Sequence, residues 1–240
     1  MDNEDVAALE ELEDGHWWGE ERIYRLVELV KGTIPKSSKI LEIGCGTGKI
    51  LSLLEKENFD CFGVEPSQTG FDSSSTLLPN KIFHGTLDQF ITFDRGKQHF
   101  DCVLLFDVLE HLENDVSELS SISSLISPEG VVIFSVPADP KLWSKLDEEV
   151  YHFRRYTIDS LRALGSSSKL ELKYSIYWCS ILKGLIRLYR RVFNPTFDEN
   201  IKKPPYLINS LLRQIIRIER LPAFGRISGV SIFGVFQKSN

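Results

Sequence analysis

Residues 38–48 read Ser38-Lys39-Ile40-Leu41-Glu42-Ile43-Gly44-Cys45-Gly46-Thr47-Gly48, and this order decides the fold. A short apolar run stops at three glycines set one residue apart. Lys49 to Lys56 then carries Ile50, Leu51, Leu53 and Leu54 on one helical face. A buried strand therefore turns directly into a helix. Glycine lets a backbone turn sharply and lie close to a ligand, and the helix start offers unpaired N–H groups. A dinucleotide fingerprint would read GxGxxG; here the third glycine comes one residue early and Lys49 follows it. No GK[ST] is present, which excludes a phosphate-cradling P-loop. Glu42 ahead of the first glycine suits a ligand with an adenosine and an amino-acid end. Taken alone, the glycines are also compatible with a plain tight turn.

The pattern repeats downstream. Asp60 to Glu65 reads as a second strand stopped by Pro66, Ile82-Phe83-His84 as a third, and Phe100 to Phe106 as a fourth. A helix is predicted over 117–126, then a turn at Pro128-Glu129-Gly130 and a strand from Val131 to Val136. Runs this apolar, spaced by helices, belong to a parallel sheet covered on both faces. Right-handed crossovers make it doubly wound, with binding groups at the carboxyl ends of the strands. Glu65 ends its strand 23 residues after Glu42, where a carboxylate can accept from both ribose hydroxyls. Asp88, after the third strand, is placed to accept from an adenine amino group. Either acid alone reads equally as a solvated charge; three such features at successive strand ends favour binding.

After Pro137 the pattern changes. Thr157 is expected to cap a helix from Ile158 to Leu164, ended by Gly165. Leu170 to Trp178 and Val230 to Phe236 read as strands completing the sheet as an antiparallel pair. Between them lie two basic amphipathic segments, 181–193 and 207–220. Such stripes lie on a membrane surface, pack on the core or form a homodimer contact.

With 240 residues, 42% of them hydrophobic, the chain suffices for one well-buried domain. The net charge of −6 conceals a division. Residues 1–150 hold 12 Lys+Arg against 29 Asp+Glu, a balance of −17, whereas residues 151–240 hold 16 against 5, a balance of +11. The basic part is expected to meet an anionic substrate or membrane, or to dock on the acidic body. Nucleic acid is not expected, because the basic residues alternate with apolar stripes and no binding module accompanies them. Four cysteines without a CxxC pair suggest neither zinc nor disulfides, and no metal is expected. The acidic start and the lack of a long apolar run point to a cytoplasmic protein, with peripheral contact at the inner face of the membrane as a further possibility.

Together these motifs resemble the class I S-adenosylmethionine-dependent methyltransferases, from about residue 14 to the end. More narrowly, the chain is similar to the methyltransferase type 11/type 12-like subgroup found with glycan and lipid biosynthesis enzymes. The narrower likeness rests on His16-Trp17-Trp18 with Arg22, Val136-Pro137-Ala138, Leu142-Trp143-Ser144, Asp147, and His152-Phe153-Arg154-Arg155-Tyr156. It continues in Glu219, Pro222, Gly229 and Ser231. Gly19 departs from the pattern, which usually has an aromatic there.

The resemblance implies an α/β fold: a doubly wound, mostly parallel, seven-stranded Rossmann-like sheet with a helical substrate-side insertion. One domain, 1–240, would divide into a cofactor part at about 14–136, a substrate part at about 137–228 and a last strand at about 229–237. It implies S-adenosylmethionine as cofactor and S-adenosylhomocysteine as product. Trp18, Arg22, Glu42, Gly44, Cys45, Gly46, Gly48, Glu65, Pro66, Leu87, Asp88, Phe106, Asp107 and His111 would hold it. Trp143, Asp147, His152, Arg154, Arg155 and Tyr156 would meet the substrate, and a base would come from Asp107, His111, His152 or Tyr156. His111 also reads as packing a short helix, Arg154 and Arg155 as ion pairs to the acidic body, and the Trp pair as an anchor for the first helix. The acceptor would be a small molecule, a glycan or a lipid-linked molecule, through an oxygen, nitrogen or carbon nucleophile. Two rivals are a non-catalytic cofactor-binding scaffold recruited to membranes and an aminopropyl transferase-like enzyme. The latter usually carries an extra acid pair that Phe106-Asp107-Val108 does not offer.

Overall fold

Every apolar run from residue 39 to 136 forms a parallel strand. The computed structural model describes residues 12–93, 99–197, 199, 202–221, 224–225 and 227–238. In chain order these include α1 (Trp17–Thr33), β1 (Lys39–Ile43), α2 (Lys49–Lys56), β2 (Asp60–Glu65), α3 (Gln68–Leu77), β3 (Ile82–His84), α4 (Leu87–Thr92) and β4 (Phe100–Phe106). There follow α5 (Asp115–Leu125), β5 (Ile126–Pro137), α6 (Lys145–Glu149), α7 (Ile158–Ser167), β6 (Leu170–Trp178), α8 (Lys183–Phe193), α9 (Tyr206–Ile218) and β7 (Ser231–Lys238).

The seven strands run in the order β3-β2-β1-β4-β5-β7-β6. β7 is antiparallel to both neighbours, and every other pairing is parallel. Chain direction therefore brings the ends of β1, β2, β4 and β5 to one edge, with Ile43 opposite Val64 and Phe106 opposite Ser135. Burial on both faces explains the unbroken apolar runs: Ile40, Cys102 and Ile133 join one core, and Leu41, Val103 and Val132 the other.

Three expectations need correction. The turn at Pro128-Glu129-Gly130 is a bulge inside β5: Phe100 pairs with Ile126, then Cys102 with Val131, so four residues loop out where Pro128 cannot donate. Gly165 does not end its helix. It is buried within α7, and a Cβ there would come 2.7 Å from the Phe236 ring and 3.0 Å from the Leu170 carbonyl oxygen. Glycine is required for close packing, while Thr157 does cap this helix through a capping box.

The third concerns the basic helices. The stripes divide: Ile186 of α8 and Leu212, Ile215 and Ile216 of α9 pack on the core, the core-packing reading, whereas Leu185, Leu188 and Val192 of α8 are exposed. In α9 one polar residue also turns inward. Asn209 is buried, accepts from Trp17 N at 2.9 Å and donates to Gly15 O at 2.8 Å, whereas Leu207 is 79% and Leu211 61% exposed. Pro222 lies outside the described residues.

Candidate functional site

The glycine turn after β1 uses the left-handed backbone region three times, with φ of 69° at Gly44, 53° at Gly46 and 76° at Gly48. Gly48 caps α2, and a Cβ on it would stand 2.8 Å from that of Ser74. Gly44 N and Cys45 N donate to Val64 O at 2.8 and 3.2 Å, tying the turn to β2.

Two buried carboxylates serve this turn. Glu65, fully buried at the end of β2, accepts from Gly46 N through Oε2 at 2.8 Å and from Ser67 N through Oε1 at 2.9 Å. Glu42 is buried, and its Oε2 has no hydrogen-bond partner among the described residues. Burial raises its carboxyl far above the usual carboxylate range; Glu13 and Glu65 add to this and Arg22 opposes it. Cys45 is buried, and its thiol is pushed up by that burial. Asp88 is exposed in the first turn of α4, beside half-buried Leu87, after a capping box of Thr86 and Gln89. Pro66 is exposed and Phe106 buried at their strand ends.

α1 lies against this edge. Arg22 pairs with Asp107 Oδ2 at 2.6 Å and donates to Ser135 Oγ at 3.0 Å, while Ser135 Oγ donates to Asp107 Oδ1 at 2.8 Å. Asp107 follows β4 in the left-handed region, φ 55°, which presents its carboxylate to Arg22. The Trp pair divides its duties. Trp17 is buried in the core, the anchoring reading; Trp18 is half-buried with its ring 4.4 Å from that of Trp178. Gly19 is explained by packing: a Cβ there would run into the Leu12 carbonyl, because the preceding segment folds back and Thr47 Oγ1 donates to Glu13 Oε2 at 2.7 Å.

A second cluster brings 110–111 to 147–156. Asp147 is fully buried. It accepts from Arg155 Nε at 2.8 Å and Ser144 N at 2.9 Å, and its Oδ1 lies 3.0 Å from His152 Nδ1. Burial alone would raise its carboxyl, but the bonds to His152 and Arg155 outweigh it and hold the group below its ordinary value. His152 Nε2 lies 3.9 Å from Glu110 Oε1, and the His111 and His152 rings meet edge-on at 4.8 Å. Ligand-capable atoms of Glu110, His111 and His152 all lie within 4.8 Å of one another. Sequence reading missed Glu110 altogether.

The remaining expected site residues make the following contacts. Tyr156 is buried, its hydroxyl 3.0 Å from Leu109 O and 2.9 Å from Asp115 Oδ2; it ties the loop after β5 to the 3-10 turn at 109–111. Burial raises its hydroxyl pKa, and the adjacent Asp115 raises it further. Arg154 pairs with Asp115 at 2.6 Å, and Arg155 is buried between Asp147 and Ala138 O, the ion-pair reading for both. Trp143 is exposed and donates to Glu148 Oε1 at 3.4 Å. His111 is exposed, with its ring edge-on to that of His152. Arg190 of α8 is a further residue not foreseen. Its Nε and Nη1 are buried with no hydrogen-bond partner among the described residues, and burial and Arg155 lower its pKa to about 10 against Asp147.

Comparison with known proteins agrees with this architecture. A family model described as a methyltransferase domain matches residues 17–172. The ubiquinone biosynthesis O-methyltransferase of Rickettsia bellii (strain OSU 85-389) is 26% identical over 117 residues, 48% of this chain and 49% of that protein. That of Rickettsia felis is 25% identical over 152 residues, 56% of this chain and 62% of that protein. The chain thus spans about half the length of the curated relatives it matches. Two solved structures share the fold. A SAM-dependent methyltransferase from Archaeoglobus fulgidus has TM-score 0.61 and 16% identity, covering 91% of this chain and 94% of that one. A TehB-like SAM-dependent methyltransferase from Corynebacterium glutamicum has 0.56 and 18%, covering 89% and 87%. A family match through well over half the chain, on a sheet whose strand ends gather the glycine turn and its two acids, places this protein in the methyltransferase-domain family, in class I.

Proposed function

We propose that the chain transfers a methyl group from S-adenosylmethionine to an oxygen of a small or lipid-linked acceptor. The observation that carries this is the bond from Gly46 N to Glu65, which sets a buried carboxylate beside the glycine turn at the strand ends. The residues fit the cofactor. Glu42 offers a buried, unpartnered carboxylate oxygen for an ammonium, Glu65 suits ribose hydroxyls, and Asp88 suits the adenine amino group. When bound, the cofactor supplies a methyl already attached to a good leaving group. The chain's task is therefore positioning and exclusion of water. Arg22 and Asp107 pair at the strand edge, and His111 and His152, whose rings meet at 4.8 Å, would form the polar patch that meets the acceptor. Calorimetry with S-adenosylmethionine, then transfer of labelled methyl to quinol-like and glycolipid acceptors, tests the reading. Absence of cofactor binding would end it.

The lipid-linked alternative draws support from α8 and α9. Residues 181–218 hold eight Lys+Arg and two Asp+Glu. Leu185, Leu188, Val192, Leu207 and Leu211 are all exposed beside Arg187 and Arg191. An anionic bilayer complements such a face. Among the described residues no helix is long and apolar enough to cross a membrane. Sedimentation with phosphatidylglycerol vesicles is expected to carry the protein down at low salt and release part of it at high salt. A dimer that stays in the supernatant would assign the face to a second copy.

A further inference from the structure

We propose that Glu110, His111 and His152 form a divalent-cation site beside the end of β4. Glu110 is only 1% exposed, and neither of its carboxylate oxygens has a hydrogen-bond partner among the described residues. A buried carboxylate without partners is strongly unfavourable unless a proton or a cation answers it. Around it stand two imidazoles whose nitrogens, with the carboxylate, lie within 4.8 Å of one another.

The outer contacts match those of a ligating histidine. Asp147 Oδ1 lies 3.0 Å from His152 Nδ1, which fixes the ring and leaves Nε2 directed to Glu110 at 3.9 Å. Asp147 is itself locked by Arg155 and by the backbone of Ser144, so the ring cannot drift. Phe153 N donates to Glu110 O at 2.8 Å and clamps the two loops together. His111 is exposed, giving a cation its way in. Bonds of about 2.0–2.2 Å would set ligand atoms roughly 3.3 Å apart. Small rotations, mostly of the exposed His111 ring, close that difference. Two imidazoles and one carboxylate with open positions suit zinc, cobalt(II) or manganese. Resting on the proposed methyl transfer, an open position would take the acceptor hydroxyl oxygen and favour its deprotonated form, the proton passing to bulk water at this exposed edge.

The test uses chelator-treated full chain titrated with cobalt(II) alone, followed by visible absorption and thermal melting. One equivalent is expected to bind, with d–d bands and a raised Tm. Glu110→Gln and His152→Ala are each expected to weaken binding at least 30-fold. Metal-free Glu110→Gln should melt no lower than the metal-free parent, since it removes an unanswered carboxylate; His152→Ala, at a part-exposed site, gives a second reading if the first fails to fold. Glu65→Gln should keep cobalt binding while losing cofactor, so failure of the methyltransferase reading leaves this result intact. Absent cobalt binding, or binding equal in parent and both variants, overturns the site.

Discussion

Glu65 and Gly46 are joined by a 2.8 Å hydrogen bond from the Gly46 amide to the buried Glu65 carboxylate, so the end of β2 fixes the turn after β1. The other oxygen accepts from Ser67 N. Bonds to a charged acceptor contribute about 1.5–3 kcal/mol each. Glu65→Gln turns an amide NH2 toward one of these backbone donors. We expect S-adenosylmethionine affinity to fall at least tenfold by calorimetry, with a lowered Tm. Unchanged affinity would remove Glu65 from the cofactor site.

Gly165 tests packing against propensity. Alanine is the better helix former by about 1 kcal/mol. Its Cβ would nevertheless meet the Phe236 ring at 2.7 Å and the Leu170 carbonyl at 3.0 Å. Overpacking a dense core costs roughly 1–3 kcal/mol. Urea unfolding of Gly165→Ala is expected to show a net loss of stability; a gain would show that the ring yields.

That position also marks where the sequence is legible. Strands β1 to β5 show in their own residues, because burial on both faces writes itself as an unbroken apolar run. That Glu42, Gly46 and Glu65 gather at one edge was readable for a similar reason: the chain itself brings strand ends together. Gly165 was misread because what it touches, Phe236, is 71 residues away. Glu110 was missed because His152, whose Nε2 lies 3.9 Å from it, comes from the loop after a different strand, and only the fold supplies that nearness. In α9 the stripe was visible, but not that Asn209, the polar residue, faces inward.

Glu21 and Arg220 close the molecule across the first and last parts of the chain. Arg220 donates from Nε at 2.6 Å and from Nη2 at 2.7 Å to a carboxylate only 2% exposed. Removing one partner of a buried pair leaves an unanswered charge, at about 3–5 kcal/mol. Arg220 is partly exposed and Arg217 stands 3.6 Å from Glu21, so Arg220→Ala is expected to cost less, about 2–3 kcal/mol, in urea. The double variant with Glu21→Met should recover much of that loss. A pair worth less than ~1 kcal/mol in the double-mutant cycle would show that the bridge is decorative.

His16 makes stability depend on acid. Its Nδ1 accepts from Trp18 N at 3.2 Å, which requires an unprotonated nitrogen. Burial, with Lys203 and Arg213 nearby, lowers its pKa to about 4. In the unfolded chain a histidine titrates near 6.5. Between these values the unfolded chain binds more protons than the folded one. The contribution is therefore full above pH 6.5, shrinks as pH falls toward 4, and is lost below it. The span corresponds to about 3 kcal/mol at most. His16→Asn keeps a side-chain cap on α1 without the titration. Urea unfolding of both proteins at pH 7, 6, 5 and 4.5 should show the parent losing stability relative to the variant as pH falls. Parallel pH curves would mean that His16 is free to protonate in the folded protein.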